Sequence, residues 1–504
     1  RVQFCNTQHL SFSRFILSHC YSPTYKNALV VEILRLWRFV LVQTYQRRKP
    51  EETVLHHTLD GNLGRFIRSV EQAGREIPRF VLRELDAYLR CGNLNHGFVR
   101  VVCGTCQHNH LVAFSCKGRG FCPSCAGRRT ASRAAHLIDH VIPEVPVRQW
   151  VFSLPIGLRY RLAYNPELTS TVLQLFMREV FRWYRHHAKK TLRLESVKGL
   201  KCGSVTAIQR FGSALNLNIH FHVLVLDGVY RELPFGRRPK FYGALEPSGD
   251  DVAKVLLRAR GSISKALAAL DSQGEDGELE TTQPFVAECT GASLKHRVAT
   301  GVRAGQTLRG SYMAASSLDA VDHPSPRCAR VDGYSLHANT RVSAANRNRL
   351  EKLCRYIARG PIATHRLSER PDGLLEYRLK RAWSNGLSSI IMSPTELIEK
   401  LVPLIPRPRK NLMRYHGVLA PNASLRSLIV PGGGVGEKLD NQPSNDCWAA
   451  LMRRVFELDV LECPKCGGRM EMIAVITEQS TIKKILTSVG FPGDSPANHV
   501  EVAA

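Results

Sequence analysis

Two histidines stand one residue apart in a segment that is otherwise mostly apolar. The segment Asn218–Leu226 predicts a strand, and side chains alternate between the two faces of a strand. His220 and His222 therefore share one face, at a spacing suited to chelating a single divalent cation. The competing interpretation is two surface histidines on a half-exposed sheet.

A further ligand for such a cation is expected from the preceding strand. Ser204–Phe211 and Ile219–Leu226 predict two strands joined by a hairpin-like connection near Ala214. Gln209 and His220 would then be neighbours on antiparallel strands. Gln209 is therefore a candidate ligand, although a glutamine on the strand surface is the competing interpretation.

A nucleophile is offered by a tyrosine much further along the chain. Asn346–Ala358 predicts a short basic helix that carries Tyr356 and stops at a Gly-Pro pair. The histidines lack the paired carboxylates of a two-metal nuclease, which favours attack by a side chain. Arg355 and Arg359 beside Tyr356 would stabilise a phenolate and hold a phosphate. The competing interpretation is a half-buried packing tyrosine.

The cysteines favour metal binding because many of them occur in C-x-x-C pairs. Cys103 with Cys106 and Cys122 with Cys125 form two such pairs. Two pairs complete a tetrahedral thiolate shell, so we expect these four residues to hold one structural Zn²⁺ ion. Spare donors leave open that one of them replaces a member of the set or that a second metal binds; they are Cys91, Cys116, His108 and His110.

A third C-x-x-C pair lies near the end of the chain, at Cys463 and Cys466. No second pair stands beside it. It either completes a zinc site with another region or subunit, or forms an exposed turn with two free thiols.

Positive charge dominates the composition. Lys and Arg number 70 against 43 Asp and Glu, and the resulting net charge of +27 favours a polyanionic partner, most simply nucleic acid. A merely soluble basic surface is the alternative. Cations beside the cysteine pairs and beside the tyrosine are expected to contact DNA phosphates. They are Lys117, Arg119, Arg128, Arg129, Arg355 and Arg359.

The remaining composition narrows the class of protein. A hydrophobic fraction of 44% with 22% charged residues excludes a disordered or fibrous chain. Apolar runs are too short to span a bilayer, so we expect no membrane partner. Fifteen cysteines, many in C-x-x-C pairs, suit metal binding in a reducing compartment better than disulfides. The sequence begins at Arg1 without Met, so we expect a fragment or a translation extended upstream of the real start.

Apolar spacing indicates the elements that must position these residues. Helical spacing between Val54 and Leu89 leads into the cysteine-rich stretch, and Thr130–Val141 predicts a helix after it. Trp150–Leu154 predicts a strand, and Leu168–Ala188 predicts a long amphipathic helix. An acidic loop at 271–280 and a glycine-rich linker from Pro431 follow. We divide the chain into an unassigned extension (1–49), a helical and zinc-binding domain (50–145), a catalytic domain (146–430) and a linker with a C-x-x-C tail (431–504).

Several long motifs follow one another in an order typical of one family. They are Phe114–Cys125, Val145–Trp150, Ser204–His222, Arg355–Pro361, Arg414–Asn422 and Cys463–Met470. Through these motifs the chain resembles the insertion-sequence 91 family of transposases from about residue 50 to about residue 490. Ser204–His222 resembles the HUH motif of that family (His, bulky apolar, His), and Arg355–Pro361 resembles its catalytic tyrosine segment.

The resemblance implies a rolling-circle-type transposase that nicks and rejoins single-stranded DNA at element ends through a 5'-phosphotyrosine intermediate. His220 and His222 carry over as ligands of a catalytic Mg²⁺ or Mn²⁺ ion, and Tyr356 carries over as the nucleophile. The founding pattern has two tyrosines separated by three residues. Here Lys352 and Gly360 occupy the positions four away from Tyr356, so the chain resembles a single-tyrosine branch.

We therefore expect an α+β fold in which an antiparallel-sheet HUH nuclease core carries the histidines and helices cover its other face. A zinc-ribbon-like module precedes the core, and a small C-terminal tail domain follows it. The expected partner is DNA, especially single-stranded element termini, in a bacterial cytoplasm and near the nucleoid. A host helicase and the oligomeric state are left open. The alternatives are a zinc-dependent DNA-binding protein without catalysis and an inactive transposase remnant.

Overall fold

The structure is a computed structural model that describes residues 48–233, 237–272, 282–312, 326–383, 385–431, 449, 453 and 459–490. The chain divides into two compact units. The first unit comprises Arg1–Arg47, Val102–His108 and Gln442–Glu471, and the second comprises Arg48–Val101, Asn109–Asn441 and Met472–Ala504. Most of the predicted N-terminal extension, acidic loop and glycine-rich linker lies outside the described residues. The four predicted domains and the three boundaries between them stay a prediction.

Helices in the described residues occur along most of the chain. They are α1 (Val54–Gln72), α2 (Arg79–Arg90), α3 (Pro123–His140), α4 (Ile156–Tyr164), α5 (Pro166–Thr191), α6 (Gly249–Asp271), α7 (Pro284–Leu294), α8 (Arg347–Ala358), α9 (Pro394–Leu401), α10 (Arg426–Ile429) and α11 (Gln479–Ser488). Helix α3 begins earlier than the predicted Thr130, because Pro123 is suited to the first helical position. Helix α8 matches its prediction, and the side chain of its N-cap, Asn346, accepts from the backbone N–H of Arg349.

Strands in the described residues are mostly short. They are β1 (Phe98–Cys103), β2 (Asn109–Ala113), β3 (Val147–Ser153), β4 (Leu200–Lys201), β5 (Gly203–Phe211), β6 (Leu217–Leu226), β7 (Gly228–Arg231), β8 (Lys240–Gly243), β9 (Arg309–Tyr312), β10 (Cys328–Val331), β11 (Tyr334–His337), β12 (Arg341–Val342), β13 (Leu367–Glu369), β14 (Leu375–Arg378), β15 (Leu387–Met392), β16 (Met413–Gly417) and β17 (Met470–Ile476). The two strands predicted around the histidines are β5 and β6, each within two residues of its predicted start.

The histidines lie on an internal strand of an antiparallel sheet. The sheet has the order β10-β11-β3-β6-β5-β16, and β12 also pairs with β3. Strand β6 is bordered by β3 and β5, and in this register Gln209 lies opposite His220, as predicted. The predicted mixture of helices with an antiparallel sheet is confirmed.

Helices cover both faces of this sheet. On one face Phe221 joins a core in which Phe152 of β3 stacks on Phe176 of α5, with ring centroids 4.3 Å apart. On the other face Leu224 packs in a cluster with Ile357 of α8. We expected helices on one face only. The second layer forms because the face that carries the histidines becomes apolar beyond them, and such a face is stabilised by burial.

Three smaller sheets complete the described structure. Their orders are β13-β14-β15-β9, β4-β7-β8 and β17-β1-β2. In the second unit, Ile482 and Leu486 of α11 pack against Leu94 and Phe98. Within the described ranges, every helix is too short or too polar to cross a membrane.

Candidate active site and metal centres

Strand alternation brings the two histidines together on one face of β6. Their Nε2 atoms lie 3.0 Å apart, and their ring centroids lie 4.8 Å apart. The carbonyl oxygen of Asn218 lies 2.8 Å from Nδ1 of His220. A proton on that Nδ1 leaves Nε2 with a free lone pair. The pair can therefore present two nitrogen ligands to one ion.

Both imidazoles are held in the neutral form. Burial, with smaller contributions from repulsion by Arg159 and Arg359, lowers the pKa of His220 to about 4. Burial also lowers the pKa of His222 to about 2, with a smaller contribution from the nearby His220. A neutral imidazole is the form that binds a metal ion, so the site is ready to bind a cation near neutral pH.

A glutamine that we did not predict orients one of the histidines. The amide nitrogen of Gln149, on β3, lies 2.8 Å from Nδ1 of His222. Gln149 is buried and lies diagonally across from His222, whose direct partner is Val151. Gln149 lies on the face that the histidines share, but this becomes visible only once the pairing of β3 with β6 is known. It belongs to the motif Val145–Trp150 and was not among the predicted ligands.

The tyrosine of α8 lies beside the histidines. The ring centroids of His222 and Tyr356 lie 5.7 Å apart, and the planes are perpendicular. The Tyr356 side chain is 39% exposed, so its ring is accessible to a substrate. The fold thus brings together two candidate groups that are far apart in sequence.

Gln209 connects the histidine strand to the tyrosine helix. Its amide nitrogen donates to the carbonyl oxygen of Ile357 over 2.9 Å and lies 3.4 Å from that of Tyr356. Its Oε1 atom is buried and has no hydrogen-bond partner among the described residues. The side chain therefore anchors the end of α8 and leaves one oxygen available as a ligand.

Two cations lie over the tyrosine ring. The guanidinium of Arg359 is 4.8 Å from the ring centroid, and Nζ of Lys380 is 5.6 Å from it. We predicted Arg359 but not Lys380, which comes from the segment after β14. Arg355 instead forms an ion pair with Glu351, over 2.6 Å. The positive charge at the tyrosine therefore comes from Arg359 and Lys380 more directly than from Arg355.

One group of four thiols, the local quartet, consists of Cys91, Cys116, Cys122 and Cys125. Its sulfur atoms lie within 4.8 Å of one another. The Cys116 and Cys125 sulfurs are 3.4 Å apart, and those of Cys91 and Cys122 are 3.6 Å apart. Cys91 ends helix α2, and Cys122 precedes helix α3. Four converging thiols suit a closed tetrahedral zinc site.

A second group, the long-range quartet, lies within the first unit and consists of Cys103, Cys106, Cys463 and Cys466. The Cys103 and Cys466 sulfurs are 3.5 Å apart, and those of Cys106 and Cys463 are 3.6 Å apart. The backbone N–H of Cys106 is the main cause that lowers the pKa of Cys103 to about 6, which favours the thiolate. Gly467 adopts a φ of 71°, which lets the Cys463–Cys466 turn close.

The structure thus corrects the zinc set that we predicted. Cys103 and Cys106 do not share a site with Cys122 and Cys125; each pair belongs to a different quartet. We joined the two C-x-x-C pairs nearest in sequence, whereas the local quartet takes single donors from Cys91 and Cys116, which have no C-x-x-C partner. Two alternatives left open by the sequence agree with this arrangement of thiols. A second group of four donors is present, and the tail pair Cys463 and Cys466 is completed by another region of the chain.

The cations predicted near the zinc module lie around the start of α3. Lys117, Arg119 and Arg128 are exposed. Arg129 donates to the carbonyl oxygen of Gly118, and Arg119 donates to that of Lys410. These two contacts orient the guanidinium groups without neutralising them.

Comparison with known proteins defines the class to which the chain belongs. Residues 203–426, which include both histidines and Tyr356, match the family described as "Putative transposase". Residues 63–154, which include the local quartet, match the family described as "Transposase zinc-binding domain". The chain is a transposase, and a transposase binds DNA, in agreement with the net charge of +27.

These two family matches, together with one relative, support an insertion-sequence 91 family transposase. The chain is 23% identical over 393 residues to a protein of Pseudomonas savastanoi pv. phaseolicola, the "Transposase for insertion sequence element IS801". That alignment covers 77% of this chain and 82% of the relative. No solved structure matches the chain. The zinc-binding domain and the two quartets support structural zinc.

Proposed function

We propose that this transposase nicks and rejoins single-stranded DNA at the ends of its element, with Tyr356 as the nucleophile. The observation that carries the proposal is the position of the Tyr356 ring, 5.7 Å from that of His222, beneath Arg359 and Lys380. A phenol, two cations and two imidazoles converge there. This is the set of groups that attack on a phosphodiester requires.

In the proposed step, the phenolic oxygen of Tyr356 attacks the phosphorus and loses its proton to solvent. The bond between phosphorus and the 3' oxygen breaks, and that oxygen takes up a proton and leaves as a 3'-hydroxyl. The 5'-phosphate stays linked to the tyrosine. Rejoining is the reverse reaction with a new 3'-hydroxyl, and it needs no ATP because the covalent link keeps the bond energy.

The residues around the histidine pair fit a divalent cation. Two neutral imidazoles and the buried, unpartnered Oε1 of Gln209 are the ligand types that Mn²⁺ and, less strongly, Mg²⁺ accept. His220, His222 and Gln209 would hold this ion, which polarises the phosphate when bound. Gln149, with its carbonyl oxygen turned to accept Nδ1–H, would leave the His222 Nε2 free as a ligand.

Two features support a single-stranded substrate and a single nucleophile. The tyrosine lies on a helix that itself packs on the sheet, and a stacked duplex would hide its backbone from such a site. The positions four residues from Tyr356 hold Lys352 and Gly360, so this helix offers one tyrosine. Each active site would therefore form one covalent link at a time.

The test is a covalent adduct on single-stranded terminus DNA with Mg²⁺ or Mn²⁺. An oligonucleotide labelled at its 3' end transfers its label to the protein if the link is a 5'-phosphotyrosine, whereas a 5' label stays on a free fragment. Tyr356→Phe is expected to abolish the adduct. Tyr312→Phe is the matched control, because Tyr312 is 62% exposed and lies outside the site.

The outcomes separate the alternatives. A Tyr356→Phe protein that still forms the adduct contradicts the assigned nucleophile. A wild-type protein that binds the oligonucleotide without any adduct would instead be a zinc-dependent DNA-binding protein or an inactive remnant. A label transferred from the 5' end would reverse the polarity of the step.

A further inference from the structure

Five arginines line one cleft in the second unit, next to the candidate active site. The cleft lies among the loop before α3, helix α3, strand β5 and the end of α8. We call it the arginine cleft and define it by Arg119, Arg129, Arg133, Arg210 and Arg359. None of the described residues that line it is an Asp or a Glu.

The positive charge in this cleft is not neutralised by the described residues. None of the five arginines takes part in an ion pair there, whereas Arg355 on the same helix as Tyr356 does. Burial lowers the pKa of Arg133, and repulsion from Arg129 and Arg119 lowers it further. Glu84 lies beside Gly118, but its Oε1 accepts the backbone N–H of Gly120 over 2.6 Å.

Such an arrangement costs free energy in the unliganded protein, because like charges repel in a partly buried site. A phosphate offsets that cost, since each guanidinium presents a fork of donors that matches phosphate oxygens. Three of the five, Arg119, Arg129 and Arg210, are also positioned by hydrogen bonds to backbone carbonyl oxygens. Arg210 donates to the carbonyl oxygens of Ala163 and Pro403, and its Nε atom is buried without a partner.

The arginine cleft adjoins the reacting tyrosine. Arg359 both lines the cleft and lies over the Tyr356 ring, at 4.8 Å. Gln209 lines the cleft as well, and its amide contacts the backbone of α8. A DNA strand whose phosphate enters the site at Tyr356 therefore has its neighbouring nucleotides at the mouth of the cleft.

We infer that the arginine cleft binds a backbone phosphate of single-stranded DNA next to the phosphate that Tyr356 attacks. This inference rests on the proposed function for the position of the strand. It assigns helix α3, which begins at the local quartet, a direct part in holding the substrate. The zinc-binding module would thus position DNA for the tyrosine instead of only stabilising the fold.

The experiment measures binding without chemistry, in Tyr356→Phe protein with full-length chain and both quartets intact. Arg133→Gln removes one charge from the cleft, and Arg65→Gln removes an exposed charge on α1, outside the cleft and outside the predicted DNA contacts. We expect Arg133→Gln to weaken oligonucleotide binding about 10-fold and to reduce the slope of log K against log salt by about 0.7, the value for one phosphate on a single strand. Arg65→Gln should change the affinity and the salt slope less.

A second measurement locates the phosphate. Oligonucleotides that carry one neutral methylphosphonate are compared at each position around the cleavage site. In the parent protein, one position near that site should weaken binding about 10-fold, and in Arg133→Gln protein the same position should have no further effect. Arg133→Lys, which keeps the charge but loses the fork, should restore part of the affinity.

The inference is overturned if Arg133→Gln binds with the affinity and salt slope of its parent. It is also overturned if the loss of affinity from Arg133→Gln and the loss from the methylphosphonate add fully. Unchanged zinc content and melting temperature show that the variant is folded, and Arg129→Gln replaces it if they change. Because binding is scored in protein that cannot form the adduct, failure of the cleft and failure of the nucleophile give different results.

Discussion

The thiol quartets and the histidine pair are both sets of side chains that can bind a metal ion, but they differ in the ligand positions that they leave open. Each quartet brings four sulfur atoms within 4.8 Å of one another, which fills a tetrahedral shell and leaves no position for a substrate. The histidine pair offers two nitrogens and lies beside an exposed tyrosine. Under the proposed function, the cysteines therefore stabilise the structure, whereas the histidines leave ligand positions free for a substrate.

Removing the histidine pair should produce the largest effect on activity and almost none on the fold. His220→Ala with His222→Ala is expected to reduce adduct formation on the order of 10³-fold, because several kcal/mol of metal-dependent stabilisation are lost. Zinc content should stay constant. His136→Ala with His140→Ala is the matched control, since these rings lie 5.6 Å apart on α3 away from the tyrosine. An adduct rate within a few-fold of wild type would contradict the assigned metal site.

Breaking a quartet should instead affect zinc content and stability first. Cys125→Ser or Cys466→Ser is expected to remove one of two zinc ions per chain and to lower the free energy of unfolding of the affected unit by about 3 kcal/mol or more. Elemental analysis and urea titration measure the two effects. Cys328→Ser is the control, because Cys328 belongs to neither quartet. Full zinc content in both quartet variants would refute the two-site assignment.

Substitution of Gln149 tests whether metal binding at the histidine pair requires that the His222 ring be oriented by a hydrogen bond. Gln149→Leu removes the contact to Nδ1 of His222 and should raise the Mn²⁺ concentration for half-maximal adduct formation about 10-fold to 100-fold. Gln149→Glu should retain much of the affinity, because a carboxylate accepts Nδ1–H, which is the role proposed for the turned amide of Gln149. Gln107→Leu, outside the site, serves as control. If Leu and Glu variants behave alike, Gln149 acts only through packing.

The smallest expected effect concerns a histidine outside both kinds of site. Burial, with repulsion from Arg414, lowers the pKa of His416 to about 4. The native state therefore binds fewer protons than the unfolded state between about pH 6.5 and pH 4, so this stability is complete above that range and is lost as the pH falls through it. His416→Gln should reduce acid destabilisation between pH 7 and pH 5 by at most about 2 kcal/mol. The measurement is the urea midpoint of wild-type and His416→Gln protein across that pH range, with His57→Gln as control. Equal pH dependence of the two midpoints would contradict the lowered pKa of His416.

Much of the candidate site could be predicted because it depends on local rules. Strand alternation placed His220 and His222 on one face. Counting residues outward from a connection near Ala214 placed Gln209 opposite His220. The cap and stop residues of α8 defined the helix of Tyr356. Gln149 and Lys380 were missed because their contacts depend on which strands and loops lie next to each other. No local pattern distinguishes them from other polar residues.

The amino-acid sequence by itself determined the ligand types, the strand that carries the histidines, the helix that carries the tyrosine and the excess of positive charge. Each of these follows from side-chain chemistry or from periodicity within one element. Only the tertiary structure decided that Tyr356 meets His222, that Cys103 pairs with Cys466, and that Arg133 and Arg359 line one cleft. Those contacts join residues more than a hundred positions apart, and their choice depends on how whole elements pack, which spacing along the chain does not encode.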